Sequence, residues 1–239
     1  MKKIVLSLVV ATLGVSALHA ADKTKEYVTH TELGYIQTNG NTDTKTFNVD
    51  SKVERTWDKH VGSAKVEAQY AKNGEITTKK KYALEGEYNY KIDDKLSFSY
   101  IVGYKSDEFS GFDYQTYTGP GIKYKALEDV KQNLSVEASA LYSKDKYVAG
   151  NSENYAAYRL KAGYDLIVLD NLKFLQDVEL KGSFDETDNY FIASKSAFTS
   201  KLSDMFSAGV SYKIDYVNAP AAGKDDTDTT LTFNLIMDY

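Results

Sequence analysis

The side chains able to do covalent or metal chemistry are few. The 239-residue chain has no cysteine and three histidines, His19, His30 and His60. Without cysteine there is no thiolate nucleophile, no thiolate metal site and no disulfide scaffold. A serine nucleophile needs an imidazole within hydrogen-bond reach, and neither His30 nor His60 has a serine at motif spacing. Carboxylates cluster at Asp185, Glu186 and Asp188 and again at Asp225, Asp226 and Asp228. Calcium wants several oxygens, but neither run has the spacing of an EF-hand loop, and both read as solvated loops. Gly119-Pro120-Gly121 has no helix after it, as a phosphate-binding loop requires, and reads as a bend or bulge within a strand. No catalytic residue, cofactor or metal is expected. What remains is a dense set of charges of both signs, recurring at every second residue: Lys65, Glu67, Lys79, Lys81, Glu85, Glu87, Lys105, Lys123, Glu137, Arg159, Lys161, Asp165 and Lys181, with Lys45 counted among them. Such a set either crosslinks an interior through ion pairs or lines a watery passage, where an excess of lysine favours anions.

The elements that must position these charges are strands. After residue 22 the hydrophobic period is 2, not 3.6. Leu96, Phe98, Tyr100, Val102 and Tyr104 form one apolar face, as do Leu134, Val136, Ala138, Ala140 and Tyr142, while polar residues occupy the alternate positions. Turn signals divide the chain into about twelve strands, near 27–37, 44–57, 60–72, 77–91, 95–106, 113–126, 133–144, 155–167, 172–184, 189–202, 205–217 and 228–239. Most are longer than the 5–6 residues of an ordinary globular strand and match the roughly 9–11 that cross a bilayer. Short turns alternate with loops that are longer on average, as in an even-stranded barrel with both termini on one side. The expected fold is an all-β, antiparallel, up-and-down transmembrane β-barrel of about twelve strands. It would occupy residues 21–239 as one domain, its apolar face in lipid and its charged face in the lumen.

Composition agrees. Mean hydropathy is −0.45 and the body has no long apolar run, which argues against transmembrane helices and leaves barrels open, because alternating strands average out polar. Twenty Tyr stand against ten Phe and one Trp. Many lie near strand ends, among them Tyr35, Tyr70, Tyr90, Tyr104, Tyr124, Tyr142, Tyr155, Tyr190 and Tyr216. A ring with an apolar body and a polar tip suits the headgroup boundary. Met1-Lys2-Lys3, an apolar stretch from Ile4 to Leu18 and then Ala20-Ala21 read as a secretory signal peptide over residues 1–20, cleaved after Ala20. Losing Lys2 and Lys3 takes the net charge from −5 to −7, which speaks against nucleic-acid binding. The last residues alternate as Leu231, Phe233, Leu235, Met237 and Tyr239. This strand resembles the terminal strand that the insertion machinery of bacterial outer-membrane barrels reads, so that machinery and outer-membrane lipid are the expected partners.

Three stretches resemble a known family. Glu32-Leu33-Gly34-Tyr35 followed by Thr38 to Thr44, Asp107 to Tyr114 with Gly119 to Tyr124 after it, and Asp226 to Leu231 are similar to the salt-induced outer-membrane protein family, domain of unknown function 481. The resemblance covers nearly all of residues 21–239 and implies a barrel in the outer membrane of a bacterium. It implies no catalytic or binding residue. The resulting expectation is a non-enzymatic small channel or diffusion pore with a Lys/Glu-lined lumen, with a link to osmotic or salt response implied by the family's name alone. The alternative is a closed-lumen structural or surface-interaction barrel.

Overall fold

The computed structural model describes residues 27–38, 44–221 and 223–239; the segment read as a signal peptide lies outside them. Twelve strands follow in chain order: β1 (Tyr27–Thr38), β2 (Thr44–Trp57), β3 (His60–Asn73), β4 (Ile76–Lys91), β5 (Leu96–Asp107), β6 (Phe112–Glu128), β7 (Gln132–Tyr147), β8 (Ser152–Leu169), β9 (Leu172–Ser183), β10 (Tyr190–Lys201), β11 (Phe206–Val217) and β12 (Thr227–Asp238). Each pairs antiparallel with its sequence neighbours, and β1 pairs with β12 to close the barrel. One 3₁₀ turn, Glu108–Ser110, interrupts the β5–β6 connection.

Alternation decides the two faces. Leu160 is 48% exposed and Phe233 62%, because the outer wall is clothed in apolar side chains with no protein over them. Their intervening neighbours Arg159 and Thr232 are buried inside. A one-residue slip would exchange these sets, so burial of the charged face fixes the register. At the end holding both termini, Trp57 stacks on His60 at 5.7 Å and His60 Nδ1 lies 2.6 Å from the Tyr88 hydroxyl. At the opposite end Tyr190 meets Tyr216 at 6.0 Å. These are amphipathic rings at the rims of the apolar band. Terminal-end turns are held by acids: Asp93 accepts the Lys95 and Leu96 amides, and Asp129 those of Lys131 and Gln132. Those backbone donors hold both carboxyls below their usual range.

Three details differ from expectation. Tyr155 is not a rim residue: it shares the inward parity of Ala157 and Arg159, is 6% exposed and donates to Asp145 Oδ2 at 3.0 Å. Lys45 shares the parity of Phe47 on the outer side and is exposed, so it does not line the lumen. Gly119-Pro120-Gly121 is neither bend nor bulge. The β6–β7 register is the same on either side of it, Thr118↔Tyr142 and Gly121↔Ser139, with the ladder interrupted between. Proline has no amide to donate there, and a Cβ on Gly119 would run into the Ala140 carbonyl oxygen. The bulges lie elsewhere, near Lys72, Asp107, Tyr114, Leu127 and Leu169.

Candidate lumenal site

The inward side chains meet across the barrel. Lys65 Nζ on β3 lies 2.7 Å from Glu67 and 3.4 Å from Asp50 on β2. Glu67 also takes Lys213 of β11 at 2.9 Å, and Lys195 of β10 reaches Glu32 of β1 at 2.8 Å. Lys81, with its side chain 4% exposed, pairs with Asp215 of β11 at 2.7 Å. Strands β4 and β11 are five steps apart around the ring of twelve, so this pair nearly spans the diameter. Lys79 donates to Thr230 at 3.3 Å and lies 3.8 Å from Asp228. The stems of Lys79, Lys81, Lys195 and Lys213 cross the gap with their methylenes and deliver the ammonium to another part of the wall, whereas Lys65 pairs on its own strand and the next.

Arg159 organises the other half. Its guanidinium is bidentate on Glu85 of β4, at 3.1 and 3.3 Å, and its Nε donates to Glu179 at 3.0 Å. Glu85 also accepts the Tyr117 hydroxyl at 2.6 Å. The planar fork suits arginine and not lysine. Glu87 takes the Asn89 amide at 2.7 Å and lies 3.6 Å from Lys123. Glu137 is buried and accepts from Ser139 at 3.0 Å. Lys181 lies over three rings, Tyr117, Tyr155 and Phe191, at 5.2, 5.5 and 5.6 Å. Lys161 is flanked in register by Glu137 and Glu179, and Lys105 faces Gln115; Asp165 lies on the same inner row as Lys161. Apart from Lys45, the charged residues singled out from the sequence therefore share one interior, in which most are already paired.

Two cavities sit in this framework. One of about 690 Å³ lies at the terminal end, walled by charges that include His30, Lys52, Lys123, Lys173 and Asp238. One of about 160 Å³ lies deeper, lined by Asn48, Gln69, Ser211, Thr230, Thr232 and Asn234 together with charged residues that include Lys65, Glu67, Lys195 and Lys213. Glu32, Asp50, Lys65, Lys161, Asp177 and Lys195 line both. Beside them a buried cluster of Leu141, Tyr155 and Ala157, with Tyr117 against it, packs inside the loop-end part of β6–β8. Over the mouth, Gly111 of the β5–β6 connection sits against Ala221 of the β11–β12 connection. Those hairpins lie on opposite sides of the ring. Gly111 also accepts the Val148 amide at 3.0 Å, and the Asn218 amide donates to Tyr190 at 3.0 Å. The sequence reading did not bring out the interior apolar residues or the neutral polar patch. The one available signal was their parity, which places Thr232 and Asn234 opposite Leu231 and Phe233.

Among the described residues no three His, Asp or Glu side chains converge in a way that could hold a metal ion. The barrel is similar to the NanC porin, with a TM-score of 0.52 at 10% identity, over 88% of this chain and 97% of that one. It is also similar to the translocator domain of the autotransporter NalP from Neisseria meningitidis, with a TM-score of 0.43 at 14% identity over 89% and 87% of the two chains. By sequence it is 24% identical over 221 residues to YdiY of Escherichia coli, covering 90% of this chain and 84% of that one. The family model "Protein of unknown function, DUF481" matches residues 31–239, and the chain belongs to that family.

Proposed function

We propose that the protein is a non-enzymatic outer-membrane conduit for small hydrophilic solutes, with the lumenal ion pairs as its constriction. On this reading residues 1–20 are removed on export, the termini face the periplasm, and the strand ending in Leu235, Met237 and Tyr239 is what the insertion machinery reads. The observation that carries the reading is the cavity of about 690 Å³ at the terminal end, whose charged lining runs on into the smaller cavity. A solute entering from that end meets alternating cationic and anionic walls, then the Lys65–Glu67–Lys213 and Lys81–Asp215 crossings. Those crossings also favour a second reading, a lumen closed outright. An interior neutralised by its own pairs has little field left to select an ion.

Single-channel recording on the refolded chain in a planar bilayer separates the two. Small discrete steps that enlarge in Lys81→Met with Asp215→Leu support the gated conduit. A correctly inserted barrel that is silent both with and without those pairs supports the closed lumen.

A further inference from the structure

The outer wall carries its charges on one side of the barrel. In β2, β3 and β4 the parity that turns Asp50, Glu67 and Glu85 into the lumen turns Lys45, Lys72 and Lys80 outward at the loop end, and every acid of these three strands points inward. No outward position of β8 to β12 carries a charge. Lysines that merely reach for water from the edge of the apolar band would be spread around the whole rim. Lys45 and Lys72 stand directly opposite each other in the β2–β3 register, and like charges so placed repel. Among the described residues neither lies at bonding distance of a carboxylate, and Glu108 pairs with Lys80, at 2.8 Å. The row beneath them is Phe47, Tyr70 and Lys80, with the Lys72 ammonium over the Tyr70 ring at 5.8 Å.

Four residues along β4 from Lys80, about 14 Å of strand, the same wall is hollowed. A groove of about 490 Å³ runs between Leu84 and Tyr104 and over Ala64, Gly86 and Val102. Ala64, Gly86 and Val102 form one row across β3, β4 and β5, and the missing side chain at Gly86 deepens it. Leu84, Val102 and Tyr104 are exposed, with no protein over them. The groove therefore lies in the apolar band, where its neighbour is hydrocarbon, and the lysines stand above it at the level of headgroups.

We propose that this face of β2–β5 is a binding site for a lipid of the leaflet at the loop end, a multiply acylated glycolipid with phosphomonoester groups, of the lipid A type. One phosphate lies between Lys45 and Lys72, and one acyl chain fills the groove. A phosphomonoester brings close to two negative charges and three acceptor oxygens at neutral pH, which neutralises two facing ammoniums; a phosphodiester brings one charge. Such charge-assisted bonds are the strong kind. A second copy of the chain is poorly matched to the patch, since its own β2–β4 wall offers lysine and its β8–β12 wall no charge. The site uses the outer wall alone and is independent of whether the lumen conducts.

Native mass spectrometry of the refolded barrel in detergent, titrated with diphosphorylated lipid A, counts bound lipid directly. The wild type is expected to retain one molecule per barrel. Lys45→Gln with Lys72→Gln should weaken that binding at least tenfold, and Ala64→Leu, which fills the groove from the lipid side, at least threefold. Lys144→Gln with Lys146→Gln, on the outer side of β7, should bind as the wild type does. Dephosphorylated lipid A and phosphatidylglycerol, a singly charged diester, should each bind at least tenfold more weakly than lipid A. Equal losses in the two lysine pairs would reduce the site to a diffuse surface charge and overturn the proposal. Binding indifferent to the phosphates overturns it as well, as do barrel dimers in place of bound lipid. Millimolar inorganic phosphate should leave the lipid bound; complete displacement by it would mean an anion site with no part for the acyl chain, and would also overturn the proposal. Heat-dependent gel migration shows which variants are folded before they are compared.

Discussion

Replacing Arg159 by methionine should be among the most damaging single changes inside the barrel. The side chain is 1% exposed and makes three charge-assisted bonds, two to Glu85 and one to Glu179. Each such bond contributes about 1.5–3 kcal/mol in a protein. Removing the cation also strands two carboxylates, and breaking a buried pair from one side costs about 3–5 kcal/mol. Glu179 keeps a third of its side-chain surface exposed (33%), so part of its charge is recovered by water and the lower end, about 3 kcal/mol, is expected. Two residues on, Lys161 faces the same lumen between Glu137 and Glu179 but, among the described residues, lies at bonding distance of no carboxylate. Lys161→Met should cost less than about 1 kcal/mol. Urea titration of refolded barrels in lipid vesicles reads both losses, through Trp57, the single tryptophan, and through gel mobility. In a double-mutant cycle, Glu85→Gln should already have removed part of what Arg159→Met removes, leaving a coupling of about 1–3 kcal/mol. Equal losses at Arg159 and Lys161, or strict additivity with Glu85, would show that the guanidinium is not the hub of this half of the lumen.

Leu160→Arg puts a charge on the lipid face near mid-strand and should cost about 2–4 kcal/mol in the same titration, against almost nothing for Lys161→Arg; equal tolerance would mean that the faces are exchanged. Gly119→Ala must push back the Ala140 carbonyl of the neighbouring strand, and overpacking of this kind costs about 1–3 kcal/mol, read as a lower urea midpoint. The Asp129 carboxyl titrates lower folded than unfolded because backbone amides hold its charged form. Its contribution is therefore complete above the unfolded value of about 4 and is lost as pH falls through the lower folded value. Urea midpoints measured from neutral pH down into that acidic range should decline less steeply for Asp129→Asn than for the parent.

Strand positions were legible because each strand carries its own evidence. In Leu96 to Tyr104 or Leu231 to Tyr239 a period of 2 states which residues share a face without reference to any other part of the chain. Partners across the lumen leave no such local trace. Nothing near Lys81 announces Asp215, and nothing near Arg159 announces Glu85, since these pairs depend on barrel diameter and stagger. For Tyr155 the parity shared with Arg159, and not nearness to a strand end, decides the face. For Lys45 the parity of Phe47 outweighs residue type. Ile101 and Leu141 are apolar and yet point inward, because this lumen is not polar throughout: around Leu141 it packs as a small core.

The short β1–β12 ladder has a bearing on how the molecule is made. Every other pairing joins strands adjacent in the chain and can form as a local hairpin; this one joins residues about 200 apart, such as His30 and Asp238. Closing so long a loop costs entropy before any contact rewards it. With five ladder pairs and the Thr29–Tyr239 backbone exchange to gain, against twelve and eleven pairs in the flanking ladders, the closure is a late and poorly driven step. Until it occurs, the nascent sheet presents two free edges of backbone donors and acceptors, a state prone to pairing with other chains. Anything that occupies one edge until the circle is complete would shield such a barrel from that pairing.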